Sequence, residues 1–304
     1  MVYLLIGKRD VNLEKTVKLN NGVEMPQVGM GVWKTNPDDT AALVRTAAAN
    51  GYTLFDTAKQ YGNESGVGQG LQAAIKETGK KRVDFFLTTK IFNGDQGDYD
   101  KLRAAFNQQL RDLQTDYVDL LLLHWPVFGK YNESWRALEG ILKDGQARAI
   151  GVCNFDVDHL TDLMDHAQVM PAVNQIEFNP FIHQPDTVAF CQGNKIQLEA
   201  WSPLGNGQAL ANPVINRIAK EKGKSPAQVI LRWELQQGFV IIPKSSHAER
   251  MRTNRDLDDF TLTADEMEAI AELDEEKHSI WYDKYKWSGN PNGVDDYIAK
   301  PNEF

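Results

Sequence analysis

The sequence predicts an α/β fold, a single (β/α)8 barrel over residues 1–304, and three observations carry that prediction. Short apolar runs alternate with amphipathic stretches almost from end to end, the pattern of a parallel sheet built from βα units. The apolar runs number eight. The first is followed by MGVWKT rather than the Gly-rich phosphate turn of an open dinucleotide-binding sheet, and no composition break or long linker divides the chain.

In order, the strand candidates are QVGMG near 28, TLFD near 53, FFLTTK from 85, VDLLLLH from 118, ARAIGV from 147, AVNQIE from 172, IQLEAW from 196 and FVIIP from 239. Helices are expected over 38–50, 65–78, 100–113, 134–143 and 226–236. Asn36-Pro37 opens the first and Ser225-Pro226 the last, placing Pro where a first-turn N–H is dispensable. Two segments fall outside the alternation. TVKLNNGVEM (16–25) sets Asn-Gly between two short alternating runs, a hairpin expected to cap the N-terminal mouth of the barrel. The aromatic tail, 278–304, reads as a loop near the opposite mouth.

Composition narrows the function. With 42 acidic against 33 basic residues and a net charge of -9, a nucleic-acid partner is not expected, because phosphate backbones are met by clustered Lys and Arg. Cys153 and Cys191, the two cysteines, lack metal-binding spacing, so no metal is expected and a reducing compartment is. The opening MVYLLIGKRD has neither a basic flank before its apolar run nor a small-residue cleavage site after it. No stretch approaches the roughly 20 apolar residues that span a bilayer. A cytoplasmic protein without a membrane partner is therefore expected.

In such barrels, reactive groups lie at the C-terminal ends of strands. Asp56 ends the second candidate, Lys90 the third, His124 the fourth, Cys153-Asn154 the fifth, Gln175–Glu177 the sixth, Trp201-Ser202 the seventh and Lys244-Ser245 the eighth. Tyr61 follows in the loop after the second. Taken singly, Asp56 reads as a helix cap, His124 as a core histidine, Lys90 as a solvated amine and Tyr61 as a packed aromatic. Their shared rim changes the reading. An ammonium beside a phenol favours the phenolate, a carboxylate keeps that ammonium charged, and an imidazole can hydrogen-bond a substrate oxygen. The set suits proton delivery to a carbonyl oxygen becoming an alkoxide, but it contains no hydride source, so a cofactor must bring one.

The stretches KLNNGVEMPQVGMGVWKT, LFDTAKQYGNE, LTTKIFN, LLLLHWP, IGVCNF, VNQIEFNP, AWSPLG and IPKSSHAERMRTN resemble, in order, the aldo-keto reductase superfamily, including the 2,5-diketogluconate reductase-like aldehyde and ketone reductases. They run from about Lys18 to Leu273. The resemblance implies a catalytic tetrad of Asp56, Tyr61, Lys90 and His124, with hydride transfer from a nicotinamide to an aldehyde or ketone and Tyr61 as proton donor. It implies that Asn154 and Gln175 hold the carboxamide and Trp201 stacks on the nicotinamide. Ser202, Leu204, Lys244, Ser245, Arg250 and Asn254 would line the pyrophosphate and adenosine end. It also implies a monomer. Three positions depart from the family's usual residues: Cys153 stands for Ser, Trp201 for a frequent Tyr and Phe92 for a frequent Trp.

Charge selects among cofactors. Lys244, Arg250, Arg252 and Arg255 fall within twelve residues of an acidic chain, opposed before Arg255 only by Glu249. A ribose phosphate suits them, so NADPH is expected, with NADH as the second candidate. Trp33, Phe92 and Trp125 neighbour the reactive residues and, with Trp281, Tyr282 and Trp287 of the tail, suggest an aromatic pocket for modest apolar carbonyls. The glycine run 66–70 has GxGxG spacing inside a helix candidate, which fits close helix packing better than a dinucleotide fingerprint. Competing readings are a Lys90 Schiff-base lyase, a glycosidase, and a non-catalytic NADPH-binding or redox-sensing barrel. The fourth strand's His124-Trp125-Pro126 lacks the second acid of a glycosidase, and the intact tetrad argues against the non-catalytic reading.

Overall fold

Parallel strands flanked by helices are buried on both faces, so their sequences run apolar without alternation. In the computed structural model, which describes residues 16–276 and 278, the barrel strands are buried along most of their length, Arg148 on β7 being the exposed exception. The barrel consists of β3 (Gly29–Gly31), β4 (Leu54–Asp56), β5 (Phe86–Ile91), β6 (Val118–Leu123), β7 (Ala147–Cys153), β8 (Val173–Glu177), β9 (Gln197–Trp201) and β10 (Val240–Ile241). They lie side by side in chain order, all parallel. The ring closes where Val28 bridges Ile241 and the Ile241 N–H donates to the Gln27 carbonyl at 2.9 Å. All eight expected strands are present. The tail with Trp281, Tyr282 and Trp287 lies outside the described residues.

Side chains alternate across each strand, which divides the core in two. Leu54, Phe86, Leu120, Leu122, Ala149 and Val173 share an inner cluster. Phe55, Leu87, Leu121, Ile150 and Val152 instead pack with Leu43, Phe106 and Trp135 of the surrounding helices. The hairpin of β1 (Thr16–Lys18) and β2 (Glu24–Pro26) adds Leu19 and Met25 to the inner cluster. Asn20 and Asn21 donate side-chain hydrogen bonds to the carbonyls of Pro171 and Arg148, at 2.9 and 3.0 Å, near the starts of β8 and β7. The hairpin therefore plugs the N-terminal mouth, as its sequence predicts, and Gly22, at φ 88°, makes the turn.

The helices are α1 (Pro37–Ala49), α2 (Glu64–Thr78), α3 (Tyr99–Asp112), α4 (Tyr131–Lys143), α5 (Val157–His166), α6 (Pro185–Gly193), α7 (Pro213–Lys222), α8 (Pro226–Gln236), α9 (Ala248–Arg255) and α10 (Ala264–Ala271). Asn36 caps α1 by accepting from the Asp38 N–H, and Ser225 with Gln228 forms a reciprocal capping box on α8. The glycine run lies on α2. A Cβ on Gly66 would come within 2.8 Å of Thr40 Cβ, on Gly68 within 2.6 Å of the Leu113 backbone, and on Gly70 within 2.7 Å of the Ala41 carbonyl. Close packing against α1 and the end of α3 accounts for these glycines.

Candidate active site

Two or four residues beyond the apolar inner cluster, the same inward faces turn polar: Asp56 follows Leu54 by two, Lys90 follows Phe86 by four, and Gln175 follows Val173 by two. The period of two that builds the core thus delivers a polar layer at the C-terminal mouth. Lys90 is fully buried and Asp56 is 2% exposed. The Lys90 ammonium donates to Asp56 Oδ1 and Oδ2 at 2.7 and 2.8 Å, to the Thr57 carbonyl at 3.0 Å and to the Tyr61 hydroxyl at 3.2 Å. Burial opposes the charge on Lys90 most strongly, but the Asp56 carboxylate, Tyr61 and Cys153 together outweigh it and hold the ammonium protonated beyond the ordinary lysine range.

Tyr61 reaches this layer on a 3-10 turn, Lys59–Tyr61, that ends at Gly62 with φ 65°. The turn is clipped to neighbouring loops by Lys59 Nζ on Asp95 Oδ2 at 2.5 Å and by Asn63, which accepts from the Thr57 hydroxyl and donates to the Val32 carbonyl, both at 2.9 Å. Burial raises the Tyr61 phenol above its usual value, and Lys90 pulls it down by less. The ammonium does favour the phenolate, as its residue type predicts, and burial opposes it with the larger effect. Tyr61 is a held phenol, with Lys90 in place to stabilise the phenolate once a proton has left.

His124 follows β6 and is 6% exposed. Its ring meets Tyr61 edge-on at 5.8 Å between centroids and Phe92 edge-on at the same separation. Burial first, and Lys90 second, push its pKa well below that of free histidine, so the imidazole is neutral. Its Nδ1 is buried with no hydrogen-bond partner among the described residues.

Asn154, left-handed at φ 64°, donates from Nδ2 to the His124 carbonyl at 3.0 Å and accepts from Trp201 Nε1 at 2.8 Å. Gln175 Nε2 donates to Asp56 Oδ2 at 2.9 Å and to Glu199 Oε2 at 2.7 Å. Glu199 is fully buried, and burial first, then Asp56, raises its carboxyl well above the ordinary range. The Cys153 thiol lies 3.6 Å from Gln175 Oε1, and burial keeps it protonated.

Above this layer opens a cavity of about 360 Å3. Twelve residues singled out in the sequence line it: Trp33, Asp56, Tyr61, His124, Trp125, Cys153, Asn154, Gln175, Trp201, Ser202, Leu204 and Lys244. Lys90 lies beneath it. Phe92, 8% exposed, is behind His124 rather than on the cavity wall, so its adjacency in sequence led to a supporting position. Ser245, Arg250 and Asn254 are also off the wall. Ser245 is buried and its hydroxyl meets the His247 backbone, Asn254 is buried on α9, and Arg250 is exposed in the first turn of α9. The Arg255 guanidinium packs over Gly51.

Sequence reasoning missed Glu199, Lys34, Gln60, Asn206 and Ile242. Glu199 had a signal: an acid inside an apolar run, two residues before Trp201 and thus on the same strand face.

The sequence profile described as the aldo/keto reductase family matches residues 25–275. The chain belongs to this family. Glyoxal reductase of Bacillus subtilis (strain 168) is 49% identical over 267 residues, covering 88% of this chain and 95% of that protein. Methylglyoxal reductase DkgA of Escherichia coli O157:H7 is 41% identical over 265 residues, covering 86% of this chain and 94% of that protein. Among solved structures, the Bombyx mori aldo-keto reductase in complex with NADP superposes with a TM-score of 0.83 at 33% identity, covering 87% of this chain and 94% of the other. This aldo-keto reductase therefore shares fold and family with proteins whose names describe carbonyl reduction.

Proposed function

We propose that the protein reduces aldehydes and ketones to alcohols with NADPH, and that Tyr61 gives the proton to the carbonyl oxygen. The observation that carries this reading is the Lys90 ammonium, in contact with both the Asp56 carboxylate and the Tyr61 hydroxyl at the base of a cavity that extends to Lys244.

The residues present fit NADPH. The cavity volume falls within the range of small-molecule sites. Trp201 borders it with a partly exposed ring, fixed by its hydrogen bond to Asn154. Both N–H groups of Gln175 are engaged below, leaving its amide oxygen for a ligand donor. The first turn of α9 has no side-chain cap on its N–H groups and carries Arg250, an arrangement that suits phosphate. On this reading Asn154 and Gln175 hold the carboxamide and Trp201 stacks on the ring. Ser202, Leu204, Lys244, Ser245, Arg250 and Asn254 take the pyrophosphate and adenosine end. The solved relative that contains NADP supports the choice of cofactor.

When bound, NADPH supplies the hydride that the carbonyl carbon receives. The oxygen of that carbonyl gains negative charge and takes the Tyr61 proton, giving the alcohol. The phenolate left on Tyr61 is stabilised by Lys90, whose charge Asp56 fixes. Neutral His124 orients the oxygen without adding a competing charge, and its buried Nδ1 leaves Nε2 as the nitrogen for that contact.

The half-buried Trp33 and buried Trp125 give the substrate end an aromatic wall, and the glyoxal and methylglyoxal reductases among the relatives point to short α-dicarbonyls. A panel of aldehydes, ketones and ketoacids, followed by loss of NADPH absorbance, tests the reading. Turnover of short dicarbonyls and aldehydes is expected. NADPH binding without turnover of any carbonyl would favour a non-catalytic protein.

A further inference from the structure

Gln175 stands between two carboxyl groups. Its Nε2 donates to Asp56 Oδ2 at 2.9 Å and to Glu199 Oε2 at 2.7 Å. Only the NH2 end of a side-chain amide can serve two carboxyl acceptors, so both donors are spent and Oε1 is turned away from them, beside Cys153 at 3.6 Å. The strand register builds this layer: Cys153 on β7 pairs with Gln175 on β8, and Gln175 pairs with Glu199 on β9. Glu199 is fully buried, and its Oε1 has no hydrogen-bond partner among the described residues, so its recorded side-chain hydrogen bond is the one to Gln175.

We propose that Glu199 is a positioning residue: by accepting one Gln175 N–H while Asp56 accepts the other, it locks the Gln175 amide with its oxygen presented to the cavity. The terminal torsion of a glutamine is broad and roughly two-fold. Asp56 alone opposes exchange of oxygen for nitrogen at the cavity wall through a single bond. Glu199 adds a second, so that exchange would break both and turn Oε1 onto two carboxyl groups. The elevated carboxyl pKa of Glu199 is consistent with a neutral acid that accepts through its carbonyl oxygen, so that Asp56 remains the carboxylate set against Lys90. The inference rests on the proposed role of Gln175 toward the nicotinamide carboxamide, and it adds a residue that does not line the cavity.

The test is fluorescence titration of the whole protein with NADPH, using Gln175→Ala, Glu199→Leu, their double variant and Glu199→Gln. Loss of one positioning hydrogen bond corresponds to a weakening of up to about tenfold. Gln175→Ala and Glu199→Leu should each raise Kd by roughly that factor, and the double variant should bind no more weakly than Gln175→Ala, because Glu199 acts through Gln175. Glu199→Gln, which keeps a carbonyl acceptor of the same shape, should stay within about twofold of the parent protein. Additive losses in the double variant would overturn the proposal, as would an unchanged Kd in Glu199→Leu beside a weakened Gln175→Ala. An unchanged Kd in Gln175→Ala would overturn the role of Gln175 itself and the proposal with it. If Glu199→Leu does not fold, Glu199→Asp, which withdraws the carboxyl by one methylene, carries the same expectation and the same contradiction.

Discussion

The Lys90 ammonium lies 3.2 Å from the Tyr61 hydroxyl while Asp56 holds it from the other side at 2.7 Å. A charge fixed in the barrel interior is thereby brought to a phenol at the mouth. Burial makes Tyr61 hold its proton, and the ammonium favours the anion formed on release. On the proposed mechanism, the two opposing effects suit a donor that waits for a charged oxygen.

Lys90→Met removes the charge and leaves the Asp56 carboxylate buried, with Gln175 as its remaining side-chain donor. Breaking such a pair costs about 3 kcal/mol or more. Urea unfolding should register that loss, and kcat should fall by at least about 100-fold even where the variant is fully folded.

Stability should carry a signature of Glu64. This buried carboxyl accepts from the Thr89 hydroxyl at 2.6 Å and from Gln109 Nε2 at 2.9 Å, and burial pushes its pKa up to about 7. Below the unfolded-state value of 4.5 both states are protonated and the contribution is complete. Between there and about 7 the native state keeps a proton that the unfolded chain has lost, so stability falls as pH rises. Glu64→Gln keeps the acceptor oxygen but not the titration. Its stability relative to the parent should rise between pH 4.5 and 7, by an amount of order 3 kcal/mol, in denaturant unfolding across that range. A constant difference would contradict the assignment.

Much of the fold was legible because parallel strands in a barrel are buried on both faces. Leu120–Leu123 is an unbroken apolar run for that reason, and Asn36 and Ser225 announced two helix starts by their capping chemistry. The cluster of Asp56, Tyr61, Lys90 and His124 was legible because each member lies at or just beyond a strand end. What was not legible depends on register and depth. Glu199 matters because it pairs with Gln175 across strands, a relation that sequence spacing does not contain. Phe92 follows Lys90 by two residues but packs against His124, since β5 ends at Ile91 and the chain turns there into a 3-10 segment. The net effect on Tyr61 required knowing how fully its surroundings exclude water.

Arg250 is exposed in the first turn of α9 and, as the proposed partner of the NADPH ribose phosphate, should discriminate between the cofactors. Arg250→Ala should weaken NADPH by about tenfold and NADH by less than about twofold. Equal losses in parallel titrations would place the phosphate contact elsewhere.

The most direct measurement of the central claim is made on Tyr61→Phe, which removes the hydroxyl and keeps the ring that meets His124 edge-on. NADPH affinity and carbonyl reduction are measured on the same preparation. Affinity should remain within about twofold of the parent while kcat falls by a factor of about 100 to 10,000, the share a positioned acid contributes. Turnover close to that of the parent protein, with NADPH binding intact, would contradict Tyr61 as the proton donor.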